Sequence, residues 1–472
     1  MAYFDSDFTQ DENLFEKKKN IDDEIRKCRE TIEKGNIYNS LQMVEEMIQL
    51  CLENERSMDG LFFAECLIEL SPYNSEYWLR KGVFLNSLFR FDDAVQSFEK
   101  ALSLNPGDTE VLIEKAAAEE SLGMIESAEE SLKKALDIEP DNEEAIFSLG
   151  LLNQREEKFN EAITFFLKAI EIDQEYSEAL YEIGFCYENI GKYEEALQSY
   201  DKYLELEPYS ANGWYNRGIV LVKLNHLEKA IDSYDLATAL RDDFSSAWFN
   251  KGNALADLGR FKQAIECFKK AHEEDQFDES ACFNIANIYE ELGDIPNAVK
   301  YYTDAIKINN EYYEAFLARG FCHDTAGKYH LALKDFNKAI SLSQDSAEAW
   351  YAKADLEYSL GQLKDAAESY RAALKIEPDN YEVWCNLAET LLELGDWLDS
   401  LGAFEHCIRI NPGDANSYYG KAKINFILSR TQEAVDCLKT AFILDPGKKS
   451  EFAAEYPEIK SSKLFKKLLG EI

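Results

Sequence analysis

The chain has 472 residues, of which 46% are hydrophobic and 30% charged, and its formal net charge at pH 7 is −40. A negative charge of this size opposes binding to nucleic acid phosphates or to an anionic membrane surface, and it favours a soluble monomer. No apolar run approaches the ~20 residues of a membrane span, and the first residues lack the basic flank and apolar centre of a secretory signal. We therefore expect a cytoplasmic monomer that neither binds nucleic acid nor inserts into a membrane.

The ten cysteines agree with a reducing compartment, because they form no Cys-x-x-Cys motif and no regularly spaced framework. Several of them stand at places that the pattern described below reserves for core residues. The sequence predicts that they act as small buried hydrophobic side chains.

Residues 1–40 are predicted to form an acidic tail followed by one capping helix. The stretch 1–15 is acidic, lacks helical spacing of apolar residues and is expected to be mobile, whereas Ile25, Cys28 and Ile32 recur at helical steps within 21–34.

A 34-residue pattern then recurs eleven times without an insertion from Ser75 to Lys448. Counting Ser75 as the first place, the eighth place of every copy is Gly or Ala: Gly82, Ala116, Gly150, Gly184, Gly218, Gly252, Ala286, Gly320, Ala354, Ala388 and Ala422. The twentieth place is Ala in ten copies and Ser400 in the other. Tiny side chains at fixed places on two helices predict that the two backbones approach closely there. A unit of this length cannot bury its apolar face alone, so the copies must stack.

Each copy is predicted to contain two amphipathic helices of about 13 residues joined by a short turn. In one copy Trp214, Gly218 and Leu221 mark the first helix, and Leu227 and Tyr234 mark the second. Seven copies place a glycine in the turn, where a positive φ is easily adopted only by glycine: Gly123, Gly191, Gly259, Gly293, Gly327, Gly361 and Gly395. Seven of the nine prolines stand near the end of a copy, where they stop the second helix.

Weaker patterns flank the eleven copies. Residues 41–74 fit a degenerate copy in which Pro72 keeps the phase but Ile48 takes the first small-residue place. Residues 449–472 contain apolar side chains, including Phe452 and Tyr456, that predict a C-terminal capping helix. Terminal repeats are expected to be atypical because one face meets water.

These features resemble the tetratricopeptide repeat family. Tryptophans stand at the opening place of that family's signature: Trp78, Trp214, Trp248, Trp350 and Trp384. The family's Ala-x₃-Phe/Tyr-x₂-Ala pattern recurs as Ala94/Phe98/Ala101, Ala162/Phe166/Ala169, Ala230/Tyr234/Ala237 and Ala332/Phe336/Ala339. The resemblance implies an all-α solenoid, a right-handed superhelix of antiparallel helix pairs, whose first helices line a concave groove that grips a peptide or a partner helix.

Catalysis is not predicted. The five histidines are scattered without metal-ligand spacing, and neither a P-loop nor a Gly-x-Ser-x-Gly motif occurs. Cys322 and His323 are neighbours on a helix and point in different directions, so they do not form a nucleophile–base pair. We expect no enzyme activity, no catalytic or metal-binding residues and no cofactor.

By analogy with the family, the fifth and sixth places of each copy face the groove. Aromatic residues at the fifth place include Tyr181, Tyr215, Phe249, Phe283 and Tyr351, which either anchor a ligand or pack neighbouring helices together. Asparagine occupies the sixth place as Asn216, Asn250, Asn284 and Asn386. An amide both donates and accepts hydrogen bonds, so a ladder of asparagines can bind a peptide backbone; alternatively, asparagine is simply common at this place in the family.

The character of the ligand follows from charge. Family members that bind chaperones hold an acidic C-terminal tail with Lys, Arg and Asn on their first helices, an arrangement called a carboxylate clamp. Here lysine never occupies the fifth place, and the second place is Glu in seven copies. The sequence therefore predicts that the clamp is absent. The predicted groove is acidic: Glu114, Glu182, Glu188, Asp257, Glu290, Glu291, Asp324, Asp355, Glu389 and Glu393 outnumber Arg80, Arg155, Lys223 and Lys423. We therefore expect a non-catalytic scaffold for a basic or neutral protein or peptide. The alternatives are a self-assembling structural protein and the regulatory subunit of an enzyme on another chain.

Overall fold

The computed structural model describes residues 21–34 and 41–457. Within these ranges, every helix or strand longer than a single residue is an α-helix. The described residues group into two compact units, one up to Arg241 and one from Asp242 onward. The predicted acidic stretch 1–15 and most of the predicted C-terminal cap, 458–472, lie outside the described residues.

In the first unit, residues 21–33 form α1. The helices that follow are α2 (Leu41–Glu53), α3 (Ser57–Leu70), α4 (Ser75–Ser87), α5 (Phe91–Leu104), α6 (Thr109–Ser121), α7 (Ile125–Ile138), α8 (Glu143–Arg155), α9 (Phe159–Ile172), α10 (Ser177–Asn189), α11 (Tyr193–Leu206), α12 (Ala211–Lys223) and α13 (Leu227–Leu240).

The second unit continues the same alternation. Its helices are α14 (Ser245–Asp257), α15 (Phe261–Glu274), α16 (Ser280–Glu291), α17 (Ile295–Ile308), α18 (Tyr313–Thr325), α19 (Tyr329–Leu342), α20 (Ala347–Ser359), α21 (Leu363–Ile376), α22 (Tyr381–Leu394), α23 (Trp397–Ile410), α24 (Ala415–Ile427), α25 (Thr431–Leu444) and α26 (Lys448–Glu455).

The helices pack as hairpins that stack in chain order. From α4 to α25, each even-numbered helix is the first helix of a repeat and packs on the odd-numbered second helix that follows it. Within each unit, every second helix also packs on the first helix of the next repeat. The predicted all-α architecture of stacked helix pairs is confirmed.

The small residues at the eighth and twentieth places make this packing possible. All eleven residues at the twentieth place are buried, from Ala94 to Ala434. At the eighth place, a Cβ added to Gly184 would lie 2.8 Å from the ring of Tyr200, and one added to Gly252 would lie 2.8 Å from Phe268. The second helix therefore sets a buried aromatic ring directly against the backbone of the first.

The turn between the two helices of a repeat requires a left-handed residue whether or not it is glycine. The seven predicted turn glycines have φ between 69° and 88°. At the same place in other repeats, Phe89, Glu157, Asn225 and Ser429 adopt φ of 58° to 61°. The fifteenth place is thus fixed by the geometry of the hairpin, and side chains other than glycine adopt it at a cost.

Side chains also fix the ends of the first helices. The tryptophan indoles donate from Nε1 to a backbone carbonyl six residues earlier, at 3.0 Å for Trp78 to Pro72 and 2.7 Å for Trp384 to Pro378. Side chains just before the helices, such as Asn142 and Asp108, accept from backbone N–H groups of the first turn. The seven glutamates at the second place lie in the first turn of their helices, where the helix dipole favours a negative charge.

Most of the cysteines are buried, as the sequence predicted. Seven are buried, whereas Cys66, Cys385 and Cys437 are partly exposed. Among the described residues, no helix combines the length and apolarity needed to cross a bilayer.

Candidate functional site

The five predicted aromatic residues at the fifth place are half-buried and pack against the second helix of their own repeat. In the first unit the ring centroid of Tyr181 lies 5.8 Å from that of Tyr200 on the second helix. In the second unit Phe283 lies 5.5 Å from Tyr302 in the same way. Equivalent ring pairs are Tyr215–Tyr234, Phe249–Phe268 and Tyr351–Tyr370. Each ring therefore contributes one face to packing and leaves part of its surface exposed beside the sixth place.

Asn216, Asn284 and Asn386 each bind the first helix of the preceding repeat. In the first unit, Asn216 Nδ2 donates to Tyr181 Oη at 2.8 Å. In the second unit, Asn284 Nδ2 donates to Asn253 Oδ1 at 3.0 Å, and Asn386 Nδ2 donates to Tyr351 Oη at 3.1 Å. Asn250 is half-buried on α14. A hydrogen bond through Nδ2 fixes the plane of each amide and so the direction of its oxygen.

A denser network surrounds Asn386 in the second unit. Its Nδ2 also lies 3.3 Å from Asp355 Oδ1, which accepts from Tyr370 Oη at 2.6 Å. Tyr351 Oη in turn donates to Glu382 Oε1 at 2.9 Å. Side chains from the fifth, sixth and second places of neighbouring repeats therefore form one connected group on α20 and α22.

Several carboxylates on the first helices are destabilised in their ionised form, which raises their pKa. Burial raises the pKa of Glu114, and neighbouring Glu144 and Glu110 raise it further. Burial also raises the pKa of Glu182 and of Glu188. In the second unit the pKa of Glu389 is raised by burial and then by Glu393, and that of Asp324 is raised by burial and then by Asp355.

Basic side chains on this face are already paired with carboxylates. Arg80 lies 2.6 Å from Glu76 and 3.4 Å from Glu110. Lys423 lies 2.8 Å from Glu455. Because these cations are neutralised locally, the remaining carboxylates leave the first helices negatively charged in both units.

Two adjoining cavities open on the first helices α22 and α24. One, of about 330 Å³, is lined by Tyr381, Glu382, Cys385, Glu389, Phe404, Asp414, Asn416 and Ser417. The other, of about 230 Å³, shares Glu389, Phe404 and Asn416 with it and adds Leu392, Glu393, Tyr419, Gly420, Lys423, Lys448 and Glu451. Acidic groups dominate the first cavity, which lies next to the predicted position Asn386 on the same helix.

Sequence reasoning missed part of this lining. Tyr381 and Asp414 flank the ends of first helices rather than the fifth and sixth places, so the groove analogy did not select them. Asp414 caps α24 by accepting from the backbone N–H groups of Asn416 and Ser417. A search for cap residues before each first helix would have found it.

A third cavity, of about 500 Å³, lies away from the predicted site residues. It is formed by α21, α22 and α23 and is lined by apolar residues such as Leu374, Leu387 and Leu391, with Arg371 and Lys375 among its polar residues. Within the described ranges, no cluster of three or more His, Cys, Asp or Glu side chains is arranged to hold a metal ion.

Five of the family-model matches coincide with single repeats of the structure, and the others span parts of neighbouring repeats. Models described as "Tetratricopeptide repeat" match residues 87–150, 143–176, 177–210, 199–232, 245–278, 279–312 and 313–346, and one described as "TPR repeat" matches 354–395. The comparison with curated proteins finds no match.

Solved structures of other proteins are similar to part of the chain. YrrB, described as a TPR protein with an unusual peptide-binding site, is 23% identical over 40% of this chain and 96% of its own, with a TM-score of 0.35. MamA is 26% identical over 35% and 96%, with a TM-score of 0.34. The C-terminal part of a TPR repeat-containing protein from Cytophaga hutchinsonii is 18% identical over 51% and 99%, with a TM-score of 0.46.

Stacked helix pairs with a repeated, partly exposed polar face define a helical-repeat protein of the type that binds other proteins. With most of its repeats matched by the family models, the chain belongs to the tetratricopeptide repeat family. Members of this family are protein-interaction scaffolds, and that role is supported for this chain.

Proposed function

We propose that the chain is a non-catalytic cytoplasmic scaffold, monomeric in solution, that binds a basic or neutral extended peptide on its first helices. Residues 75–448 supply eleven repeats for this purpose, and residues 41–74 supply a degenerate first repeat. The observation that carries the proposal is the set of carboxylates whose pKa is raised by burial and by one another. A cationic ligand relieves that repulsion, whereas an acidic ligand adds to it.

The oriented amides supply the second element of recognition. Asn216, Asn284 and Asn386 each donate through Nδ2 to the preceding first helix, which leaves the amide oxygen as an acceptor for a peptide N–H. Three extended residues span about 10 Å, close to the distance expected between neighbouring helices. Asn250 and Asn284 lie on neighbouring first helices of the second unit, so their amides are spaced to contact a bound strand about three residues apart.

The half-exposed aromatic residues supply apolar contacts. Tyr181 and Tyr215 in the first unit, and Phe249, Phe283 and Tyr351 in the second, are fixed by their ring partners. A rigid aromatic surface loses little conformational entropy when a ligand side chain packs on it. These residues are the proposed apolar anchors.

Selection from a random displayed peptide library tests this function. We expect the purified protein to enrich peptides rich in Lys or Arg with aliphatic or aromatic residues between them. The triple variant Asn250→Ala/Asn284→Ala/Asn386→Ala, whose three sites all lie in the second unit, should bind the enriched peptides at least about tenfold more weakly, since three hydrogen bonds of about 0.5–1.5 kcal/mol each are removed.

A matched control separates lost contacts from lost folding. Asn337→Ala changes an exposed asparagine on the second helix α19 and should leave the affinity unchanged. Enrichment of acidic peptides, or equal binding by the triple variant and the wild type, would rule out the proposed mode of recognition.

A further inference from the structure

The tenth repeat carries cysteine at two places where the other repeats do not. Cys385 occupies the fifth place, which is aromatic or aliphatic in the other ten copies. Cys407 occupies the twenty-seventh place, which is Ala in nine copies and Tyr203 in the remaining one. The two substitutions lie on different helices, α22 and α23, so they are separate departures from the repeat pattern.

These two departures meet in space. The Sγ atoms of Cys385 and Cys407 are 3.3 Å apart, and both thiols are free. A disulfide bond has an S–S length of about 2.05 Å, so the sulfurs must approach by only about 1.3 Å to bond.

Only one of the two sulfurs is accessible. Cys385 is partly exposed and lines the cavity of about 330 Å³ between α22 and α24. Cys407 is 0% exposed and lies beneath it, on the second helix of the same hairpin. A small reagent that enters the cavity therefore meets Cys385 first, and Cys407 is placed to react only with Cys385.

The surroundings favour charge on the accessible sulfur. Hydrogen bonds with Cys407, Tyr381 and Ser417 lower the pKa of the Cys385 thiol, against the opposing effects of burial and Asp414. The pKa of Cys407 is raised by its hydrogen bond with Cys385 and by burial, so the deeper sulfur keeps the shared proton. Ser417 Oγ is buried in the same cavity wall, so its hydroxyl is a donor available to a charged group on Cys385.

We infer that Cys385 and Cys407 form a dithiol–disulfide site that reacts with hydrogen peroxide, with Cys385 as the attacking thiol and Cys407 as the resolving thiol. The Cys385 thiolate attacks one peroxide oxygen, the O–O bond breaks, and the hydroxide that leaves takes a proton to become water. Cys385 is then a sulfenic acid. Cys407 attacks that sulfur, the S–S bond forms, the S–O bond breaks, and a second water leaves with the Cys407 proton. Both sulfurs are oxidised by one electron each and the peroxide is reduced by two.

Peptide mapping of the full-length protein tests the site. Reduced wild-type protein is treated with hydrogen peroxide, its free thiols are alkylated in denaturant, and the unreduced chain is cleaved after glutamate. Cleavage at Glu389, Glu393 and Glu405 places the two cysteines on separate peptides. We expect one species in which the Cys385 and Cys407 peptides are joined, lighter than the two thiol peptides by two hydrogen atoms, and its complete loss after treatment with a dithiol reductant.

Two variants assign the roles of the sulfurs. Cys407→Ala restores the alanine of nine other repeats, so it should fold, and its Cys385 should accumulate as sulfenic acid that dimedone traps. Cys385→Ala should leave Cys407 reduced under the same treatment. Recovery of both wild-type cysteines as alkylated thiols, oxidation of Cys385 beyond sulfenic acid, or pairing of Cys385 with another cysteine would overturn the inference.

Discussion

Gly218 lies where the buried ring of Tyr234 covers the first helix of its repeat, and a Cβ at this glycine would stand 2.5 Å from the ring. Gly402 offers a contrast on the second helix α23, because a Cβ there meets no atom within 4 Å. The two residues are both helical, so a common substitution separates the effect of the close contact from that of helix propensity.

Substitution of these glycines by valine tests the close approach of the helices. Gly218→Val should lower the free energy of unfolding by about 1–3 kcal/mol because the ring of Tyr234 must be displaced from a packed core. Gly402→Val should leave stability within about 0.5 kcal/mol of the wild type. Urea unfolding of both variants measures the difference, and an equal loss of stability in the two would argue against the small-residue contact as its cause.

At the scale of single residues, the sequence was sufficient to predict which side chains pack in the core. It was not sufficient to predict which side chains contact a ligand. Gly218 and Ala230 could be placed because packing admits only tiny side chains at their positions. Tyr215 could not be assigned to packing or to ligand contact, because its ring does both: one face meets Tyr234 and part of its surface stays exposed. The contact of Cys385 with Cys407 was also missed, since neither residue follows the repeat from which positions were inferred.

The turn inside each hairpin was predicted from local sequence in some repeats but not in others. Glycine at Gly123 or Gly191 indicates a left-handed residue, but Glu157 and Ser429 give no such indication and adopt the same conformation. The geometry of the hairpin, rather than local preference, imposes that conformation on them. The position of a residue within the 34-residue repeat therefore predicts the left-handed turn conformation better than the type of residue does.

Exchange of residues at this turn measures the cost. Glu157→Gly should raise the free energy of unfolding by about 1 kcal/mol, because glycine adopts a positive φ without the steric cost that a Cβ brings. The converse change Gly123→Glu should lower it by a similar amount, since a Cβ there meets no neighbour and only the backbone term changes. Chemical denaturation checks both, and the account of the turn fails if the two changes have the same sign.

Hydrogen bonds between successive first helices could have been anticipated from the repeat length. Asn216 binds Tyr181, 35 residues earlier, and Asn386 binds Tyr351 over the same separation. Both pairs join the sixth place of one repeat to the fifth place of the repeat before it. Asn284 instead binds Asn253, because the preceding fifth place is Phe249, which carries no polar atom. Side-chain identity, and not spacing alone, decides the partner.

At the scale of the whole molecule, the formal charge of −40 supports the proposed recognition of a cationic partner. Such a field raises the local concentration of cationic partners and accelerates their association, and it repels acidic ones. The pKa values of the first-helix carboxylates, at the surface where the ligand is proposed to bind, are raised by burial first and then by neighbouring carboxylates. Composition alone predicted the sign of the partner's charge, whereas only the structure shows which carboxylates lie close enough to repel one another.

Titration of a fluorescent lysine-rich peptide and of its Lys→Glu counterpart, each over a series of salt concentrations, tests this account most directly. We expect the basic peptide to bind and its dissociation constant to rise severalfold as the Debye length falls from about 10 Å at 0.1 M to about 3 Å at 1 M salt. The acidic counterpart should show no saturable binding at the same concentrations. Tighter binding of the acidic peptide, or an affinity for the basic peptide that does not change with salt, would contradict the proposal that this protein recognises cationic partners.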